Sequence, residues 1–318
     1  MKDDLVFGCS TLAEQTTRKE SLRLLAQASE LGIVHFDTAR AYGAGESEVI
    51  LGRHLRHRRG DMIVTTKWGL RPPVANELIA RTYARATSSR RMSPALRPLR
   101  AARRALRPSM FSPGTIRSGL EASLRALGTD YVDYFLLHEA TADEARRDAV
   151  KRTLEQLVRE GKIRQFGLGS EFARIGPREE SIPASYRVLQ FEHNPLCQAG
   201  LEAGERRGRR IFTHSSLTAM GTVADFLVRH PTLVDRFSTE LDTDVASPQI
   251  LPGLLLAYSH ARNASGKVIF STRSSRHLVD NIVTYSRVRD WTSDRRSVLE
   301  RLFDRFSAES RAADRPLC

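Results

Sequence analysis

The sequence predicts a (β/α)8 barrel, a TIM-type fold: one domain over residues 1–318, with an extra C-terminal helix and a long arginine-rich insertion after the third strand. Three observations predict it. Eight short apolar, β-rich runs recur, beginning at Leu5, Ile33, Met62, Val132, Ile163, Val188, Ile211 and Val268. Amphipathic segments with helical spacing follow most of them. The alternation runs through the chain without a linker that would mark a second domain.

LVFGCSTL, from Leu5 to Leu12, is a strand followed by a turn of small residues. Leu22, Leu24, Leu25, Ala28 and Leu31 line one face of a helix that Gly32 closes. The run from Ile33 to Phe36 is a buried strand ending on Asp37, then comes the polar loop TARAYGAG. SEVILGRHL follows as a helix with Val49, Ile50 and Leu51 inward, and MIVTTK is a strand ending on Lys67. Ser112 is a helix cap, Pro113 takes the first helical position and Gly128 stops that helix. Tyr131 to His138 is a strand, Asp143 to Gly161 a helix, and Ile163 to Gly169 and Arg187 to Asn194 are strands. A short helix from Gly200 to Gly208 precedes the strand from Arg209 to Leu217. A connection of about 30 residues then leads to a helix (Pro248 to Arg262), the strand from Lys267 to Thr272 and a helix (Ser275 to Ser286). A last amphipathic helix, Asp294 to Phe306, turns Val298, Leu302 and Phe306 toward the barrel.

Composition narrows the function classes. Hydrophobic content of 41% and charged content of 27% are ordinary for a globular protein. No apolar stretch approaches the roughly 20 residues of a membrane span. The start, MKDDLVFG, has two acids before a very short apolar run, unlike a secretion signal. Cys9, Cys197 and Cys318 show neither metal spacing nor a C-x-x-C, so no metal and a reducing cytoplasm are expected. His54 and His57 read as a solvated helix face, and His193 as structural or a pocket wall.

The net charge of +13 is local. Residues 71–110 hold ten arginines against one acid, Glu77, leaving only +4 for the rest of the chain. With Tyr83 and Phe111 as its only stacking platforms, the segment is not expected to bind nucleic acid. Residues 71–112 carry five prolines and weak periodicity, with helix expected around Asn76 to Ala86. A solvated loop, a lid and a docking surface for an acidic partner all fit that composition.

Polar residues at successive strand ends carry the chemistry: Asp37 and Tyr42 after strand two, Lys67 at strand three, His138 at strand four. In a barrel these ends converge on one mouth. A phenol beside an ammonium is expected to lose its proton more easily, its pKa falling from about 10 toward neutrality. Asp37 would keep Lys67 charged and oriented. A tyrosine so tuned is a general acid, and a nearby histidine donates to a carbonyl oxygen. The four groups fit protonation of a carbonyl as hydride arrives at its carbon.

GIVHFDTARAYGAGESEVILG, IVTTKWG, LGTDYVDYFLLH, LVREGKIRQFGLGS, LQFEHNPL and the late LVDN occur in the order found in the aldo-keto reductases, and the chain resembles that family. The resemblance implies an NADPH-dependent oxidoreductase that reduces an aldehyde or ketone, with a small carbonyl compound or sugar as substrate. Asp37, Tyr42, Lys67 and His138 then match the family's catalytic tetrad, Tyr42 as proton donor. NADP(H) is expected to lie extended across the barrel mouth without a Rossmann domain. Consistently, Gly167 and Gly169 are followed by Phe172 where a third glycine would fall. The resemblance places the nicotinamide against Asp37, Ser170, Gln190 and His214, and the pyrophosphate along Ser215 to Leu217. Ser271, Thr272, Arg273 and Arg276 would take the 2′-phosphate, favouring NADP over NAD, with Asn281 toward the adenine.

Three features depart from the family pattern. Ser170-Glu171 stands for Ser-Asn, with Gly169-Ser170 as an alternative register. His214 stands for a tyrosine, and the insertion is longer than usual. The arginines permit an acidic or carrier-bound substrate. A regulatory protein that binds the cofactor with little turnover is the alternative reading. Oligomeric state is not legible.

Overall fold

A computed structural model describes residues 4–14, 17–70, 110–202 and 208–312. Eight parallel strands close into a barrel in chain order. They are β1 (Leu5–Gly8), β2 (His35–Asp37), β3 (Ile63–Trp68), β4 (Val132–His138), β5 (Ile163–Gly169), β6 (Val188–Glu192), β7 (Arg210–His214) and β8 (Lys267–Phe270). The main helices are α1 (Arg18–Glu30), α2 (Glu46–Leu55), α3 (Pro113–Leu127), α4 (Asp148–Arg159), α5 (Met220–Arg229), α6 (Pro231–Leu241), α7 (Leu251–Arg262), α8 (Ser275–Arg289) and α9 (Ser293–Ala312). Among the described residues no helix is long and apolar enough to cross a membrane. Residues 71–109 of the insertion, with the helix expected around Asn76 to Ala86, lie outside the described residues. The insertion's exit is described. The Trp68 indole N–H donates to the Met110 carbonyl at 3.1 Å, and Phe111 is buried against Gly69.

Local signals explain several boundaries. Thr17 and Glu20 cap α1 reciprocally, and Ser112 and Thr115 do the same for α3. Gly128 ends α3 in the left-handed region at φ 63°. Two segments differ from the sequence expectation. The connection before α7 holds α5 and α6, because Phe226 and Leu227, then Phe237 and Leu241, bury against the core on either side of a break at Pro231. Each face is too short to announce itself by periodicity alone. The helix expected from Asp143 to Gly161 is two, Ala142–Arg146 and α4. Arg147 is extended between them, and a Thr141–Glu144 capping box starts the first piece.

Strand register decides which side chains enter the lumen. The ladder pairs Gly8 with Asp37, Asp37 with Thr65, Lys67 with Leu136, His138 with Gly169, and Gly169 with Gln190. All of these share one parity, and side chains alternate along a strand. Residues of the other parity, such as Phe36, Val64, Phe135 and Leu189, pack outward against the helices in the main core. The lumen has its own apolar plug of Val6, Tyr134, Leu136, Val188, Phe212 and Ile269. His35 completes it, bonded through Nε2 to Thr65 Oγ1 at 2.7 Å and stacked on Tyr134 at 5.6 Å. The mouth above therefore has a solid floor.

Two histidines outside the lumen are also held as neutral rings, His193 buried and His54 half-buried. His54, expected on a solvated face, instead bonds Ser29 Oγ at 2.9 Å and meets Phe36 edge-on. Its face of α2 turns toward α1, whereas His57 lies past the end of that helix, at φ 67°, and is exposed. His193 is structural, bonded to Ser259 Oγ at 3.4 Å and stacked on Tyr258.

Two outcomes follow from this packing. A Cβ on Gly167 would stand 2.0 Å from the Val188 carbonyl oxygen, so Gly167→Ala forces β5 away from β6. Urea unfolding should show a loss of about 1–3 kcal/mol; an unchanged midpoint would contradict this register. Burial pulls the pKa values of His54 and His193 from 6.5 to about 4. The unfolded chain thus binds more protons between about pH 6.5 and pH 4. Stability is complete above that window and falls as pH drops through it. Thermal melts should show Tm declining from about pH 6.5 downward, before most carboxylates titrate; a flat Tm to pH 4.5 would contradict neutral burial.

Candidate active site

Each strand delivers one residue to the rim of the plug. They are Gly8, Asp37, Lys67, His138, Gly169, Gln190 and His214, with Ser271 one residue beyond β8. Together they wall a cavity of about 680 Å³, within the ~300–1,000 Å³ typical of small-molecule sites.

Lys67 and Asp37 are paired at the centre, both almost fully buried. The Lys67 ammonium donates to Asp37 Oδ1, to the Thr38 carbonyl at 3.0 Å and to Tyr42 Oη at 3.2 Å. Gln190 Nε2 donates to the other Asp37 oxygen at 2.8 Å. The His138 ring meets the Tyr42 ring edge-on, centroids 5.8 Å apart. The four residues singled out at the strand ends therefore meet in one place, with Gln190 completing the group.

The loop carrying Tyr42 is held to β3 by its backbone: Thr38 N–H to the Thr65 carbonyl at 2.8 Å, Arg40 N–H to the Lys67 carbonyl at 3.3 Å. It then turns through Gly43, Ala44 and Gly45, all at positive φ, into α2. A non-glycine residue at φ 57°, here Ala44, is strained.

Electrostatics corrects one expectation. Burial raises the Tyr42 pKa above 10; Lys67 pulls it down, but Asp37 adds to the rise and the net shift is upward. Proximity to an ammonium is not enough when burial disfavours the phenolate and a carboxylate stands beside that ammonium. Burial likewise pulls Lys67 down, yet Asp37 and Tyr42 outweigh it and the ammonium is held charged. His214 is neutral, its pKa lowered to about 4 by burial and by Lys67.

The residues assigned to a cofactor by resemblance are spread over this mouth. Gln190, His214, Ser215, Leu217 and Ser271 line the cavity. His214 Nδ1 bonds Ser215 Oγ at 2.8 Å, and Ser215 is left-handed at φ 66°. Ser170 is turned away: its hydroxyl donates to the Ala140 carbonyl at 2.8 Å, and Gly169 faces the lumen instead. A Cβ on Gly169 would stand 3.0 Å from Gln190 Oε1. Glu171 is exposed, and with Glu192 it borders an adjoining chamber behind His214. Thr272, Arg273, Arg276 and Asn281 lie past Ser271 rather than in the cavity wall. Ser274 caps α8 there through the His277 N–H at 3.3 Å. Arg273 and Arg276 are exposed, Arg276 near Asp280 at 3.7 Å, and Asn281 is buried.

Sequence reading missed Gly8, Thr11 and Met220 as wall residues and offered Gly169 only through the alternative register. For the glycines the signal was available, since they share the strand parity of Asp37 and Lys67. For Thr11, in the turn after β1, and Met220, the first residue of α5, no strand periodicity exists to read. Ser271 Oγ donates to the Gly8 carbonyl at 2.8 Å, and a Cβ on Gly8 would collide with that hydroxyl. The hydroxyls of Thr11 and Ser216 are buried with no hydrogen-bond partner. Among the described residues no group of three or more His, Cys, Asp or Glu is placed to hold a metal.

Comparison with known proteins agrees with this architecture. Residues 4–244 match the model of the aldo/keto reductase family. An uncharacterised oxidoreductase of Bacillus subtilis is 30% identical over 164 residues, covering 52% of this chain and 44% of the relative. An aldo-keto reductase of Alternaria alternata is 32% identical over 225 residues, covering 65% and 54%. The chain thus spans about half the length of the curated relatives it matches. In fold it is similar to an aldo-keto reductase of Klebsiella pneumoniae solved in complex with NADPH: TM-score 0.66, 19% identity, 95% of this chain and 91% of that one. The family match over most of the chain, on a closed eight-stranded barrel, identifies it: the chain belongs to the aldo/keto reductase family.

Proposed function

We propose that the protein reduces an aldehyde or ketone to an alcohol with NADPH, Tyr42 acting as general acid. The observation that carries this reading is the convergence of Tyr42, Lys67, Asp37 and His138 at the cavity floor. The cavity wall fits a nicotinamide cofactor. Gly8 and Gly169 offer bare backbone, the Thr11 and Ser216 hydroxyls lack partners, and the Gln190 amide stands beside the tetrad. Gln190, His214, Ser215, Leu217 and Ser271 would hold it, with Thr272, Arg273, Arg276 and Asn281 toward the adenosine end. The cofactor, when bound, supplies hydride to the carbonyl carbon.

The chain's own residues do the rest. The Tyr42 and His138 rings meet edge-on, centroids 5.8 Å apart, and both line the cavity that a carbonyl oxygen would enter. Because Tyr42 keeps its proton at neutral pH, it enters the reaction as the donor. Lys67 stabilises the phenolate left behind, and Asp37 keeps Lys67 charged. His214, neutral, offers a flat face without placing a second cation beside Lys67. The arginines between Arg71 and Arg107 favour an acidic or carrier-bound member of the carbonyl or sugar substrates.

A panel of aldehydes, ketones and sugars assayed with NADPH and NADH tests the reading. Tyr42→Phe should lower turnover by about 10²–10⁴-fold while NADPH fluorescence quenching is retained. Tight NADPH binding without turnover of any panel member would favour the regulatory reading instead. With Tyr42 above the ordinary tyrosine range, reduction should not fall between about pH 6 and pH 9 through loss of its proton. A midpoint near neutrality, absent from a control that titrates only the substrate, would show that the ammonium wins. Replacing Arg273 and Arg276 with serine should weaken NADPH binding by about tenfold or more and leave NADH unchanged; equal losses would refute a 2′-phosphate role.

A further inference from the structure

Beside the tetrad lies a second ion pair that the reaction does not use. Glu48, on the first turn of α2, has a fully buried carboxylate. Arg40 Nη1 donates to Glu48 Oε2 at 3.1 Å, and Thr66 Oγ1 donates to Glu48 Oε1 at 2.7 Å. Arg40 stands two residues before Tyr42 and Thr66 one residue before Lys67. Thr66 has the outward parity of β3, so Glu48 grips the strand from behind while Lys67 enters the lumen. Gly45 leaves room for the clamp: at φ 95°, a Cβ there would stand 2.4 Å from the Arg40 guanidinium.

From this geometry we infer that Glu48 and Arg40 are positioning residues that set the Tyr42–Lys67 distance. The loop from Thr38 to Gly45 contains two left-handed positions before Gly45, of which Ala44 is strained, and needs an anchor to hold Tyr42 Oη at 3.2 Å from Lys67. One carboxylate supplies it, tying the loop through Arg40 and β3 through Thr66. Removing the charge frees the loop, and Tyr42 drifts from the ammonium without any loss of cavity wall. The inference rests on the proposed reduction reaction.

The test measures Glu48→Gln, Glu48→Asp and the double variant Arg40→Met with Glu48→Met, using NADPH with glyceraldehyde and 4-nitrobenzaldehyde, and NADP⁺ with the corresponding alcohols. Glu48→Gln should lower kcat about 10–100-fold, as expected for a displacement of order 1 Å, with KM and the NADPH Kd within about threefold. In alcohol oxidation, where Tyr42 must lose its proton, the pH midpoint should rise by about half a unit or more as the ammonium recedes. Glu48→Asp keeps the charge and should recover part of kcat. The double variant removes both charges together, which spares the fold an unpaired buried ion, and should keep its Tm yet retain the kcat loss. If the variants lower Tm but leave kcat and the pH midpoint within about twofold, Glu48 is merely structural and the inference is overturned. If the wild-type chain reduces neither aldehyde, the proposed function itself fails and the inference falls with it, a result distinguishable from a wild type that turns over beside variants that match it.

Discussion

Taking the Lys67 ammonium and the Asp37 carboxylate out of water costs several kcal/mol per ion, and the barrel mouth is built around meeting that cost. The Thr38 carbonyl and Tyr42 hydroxyl satisfy the ammonium, and the Gln190 amide satisfies the second carboxylate oxygen. Removing either ion would strand the other in a dry site. The pair therefore fixes where β2, β3 and β6 end relative to one another, and where the loop bearing Tyr42 must run.

The surrounding titratable groups are kept neutral. Burial and nearby cations hold His35 uncharged below the site, and burial and Lys67 do the same for His214 at its wall. Burial, reinforced by Asp37, raises the Cys9 thiol and the Tyr42 phenol. The Lys67–Asp37 pair thus has these four neutral groups as neighbours, with the Arg40–Glu48 pair behind β3. A phenol in that setting keeps its proton at neutral pH, which suits the proposed reduction better than a tyrosine already half ionised.

The clamp of Arg40, Glu48 and Thr66 extends the same economy of charge to the loop. It is a carboxylate buried completely, yet shared between two donors on the two segments whose relative placement matters. A buried pair of this kind is weak evidence for stability and better evidence for a specified geometry.

The eight strands were legible because each is a short apolar run between turn signals, and the tetrad because Asp37, Lys67 and His138 close such runs. Tyr42 was legible through the motif around it. The sequence by itself determined the alternation of strands and helices, the caps at Ser112 and Gly128, and the identity of the residues at the strand ends. Tertiary structure decided what local patterns do not encode. It alone turned Gly169 rather than Ser170 into the lumen, folded α5 and α6 from faces too short to show a period, and raised rather than lowered the Tyr42 pKa. The physical reason is common to all three. Register, burial and dielectric are properties of neighbours brought together from distant parts of the chain; Tyr42 is raised first by burial and then by Asp37, the carboxylate 30 residues from Lys67 in sequence.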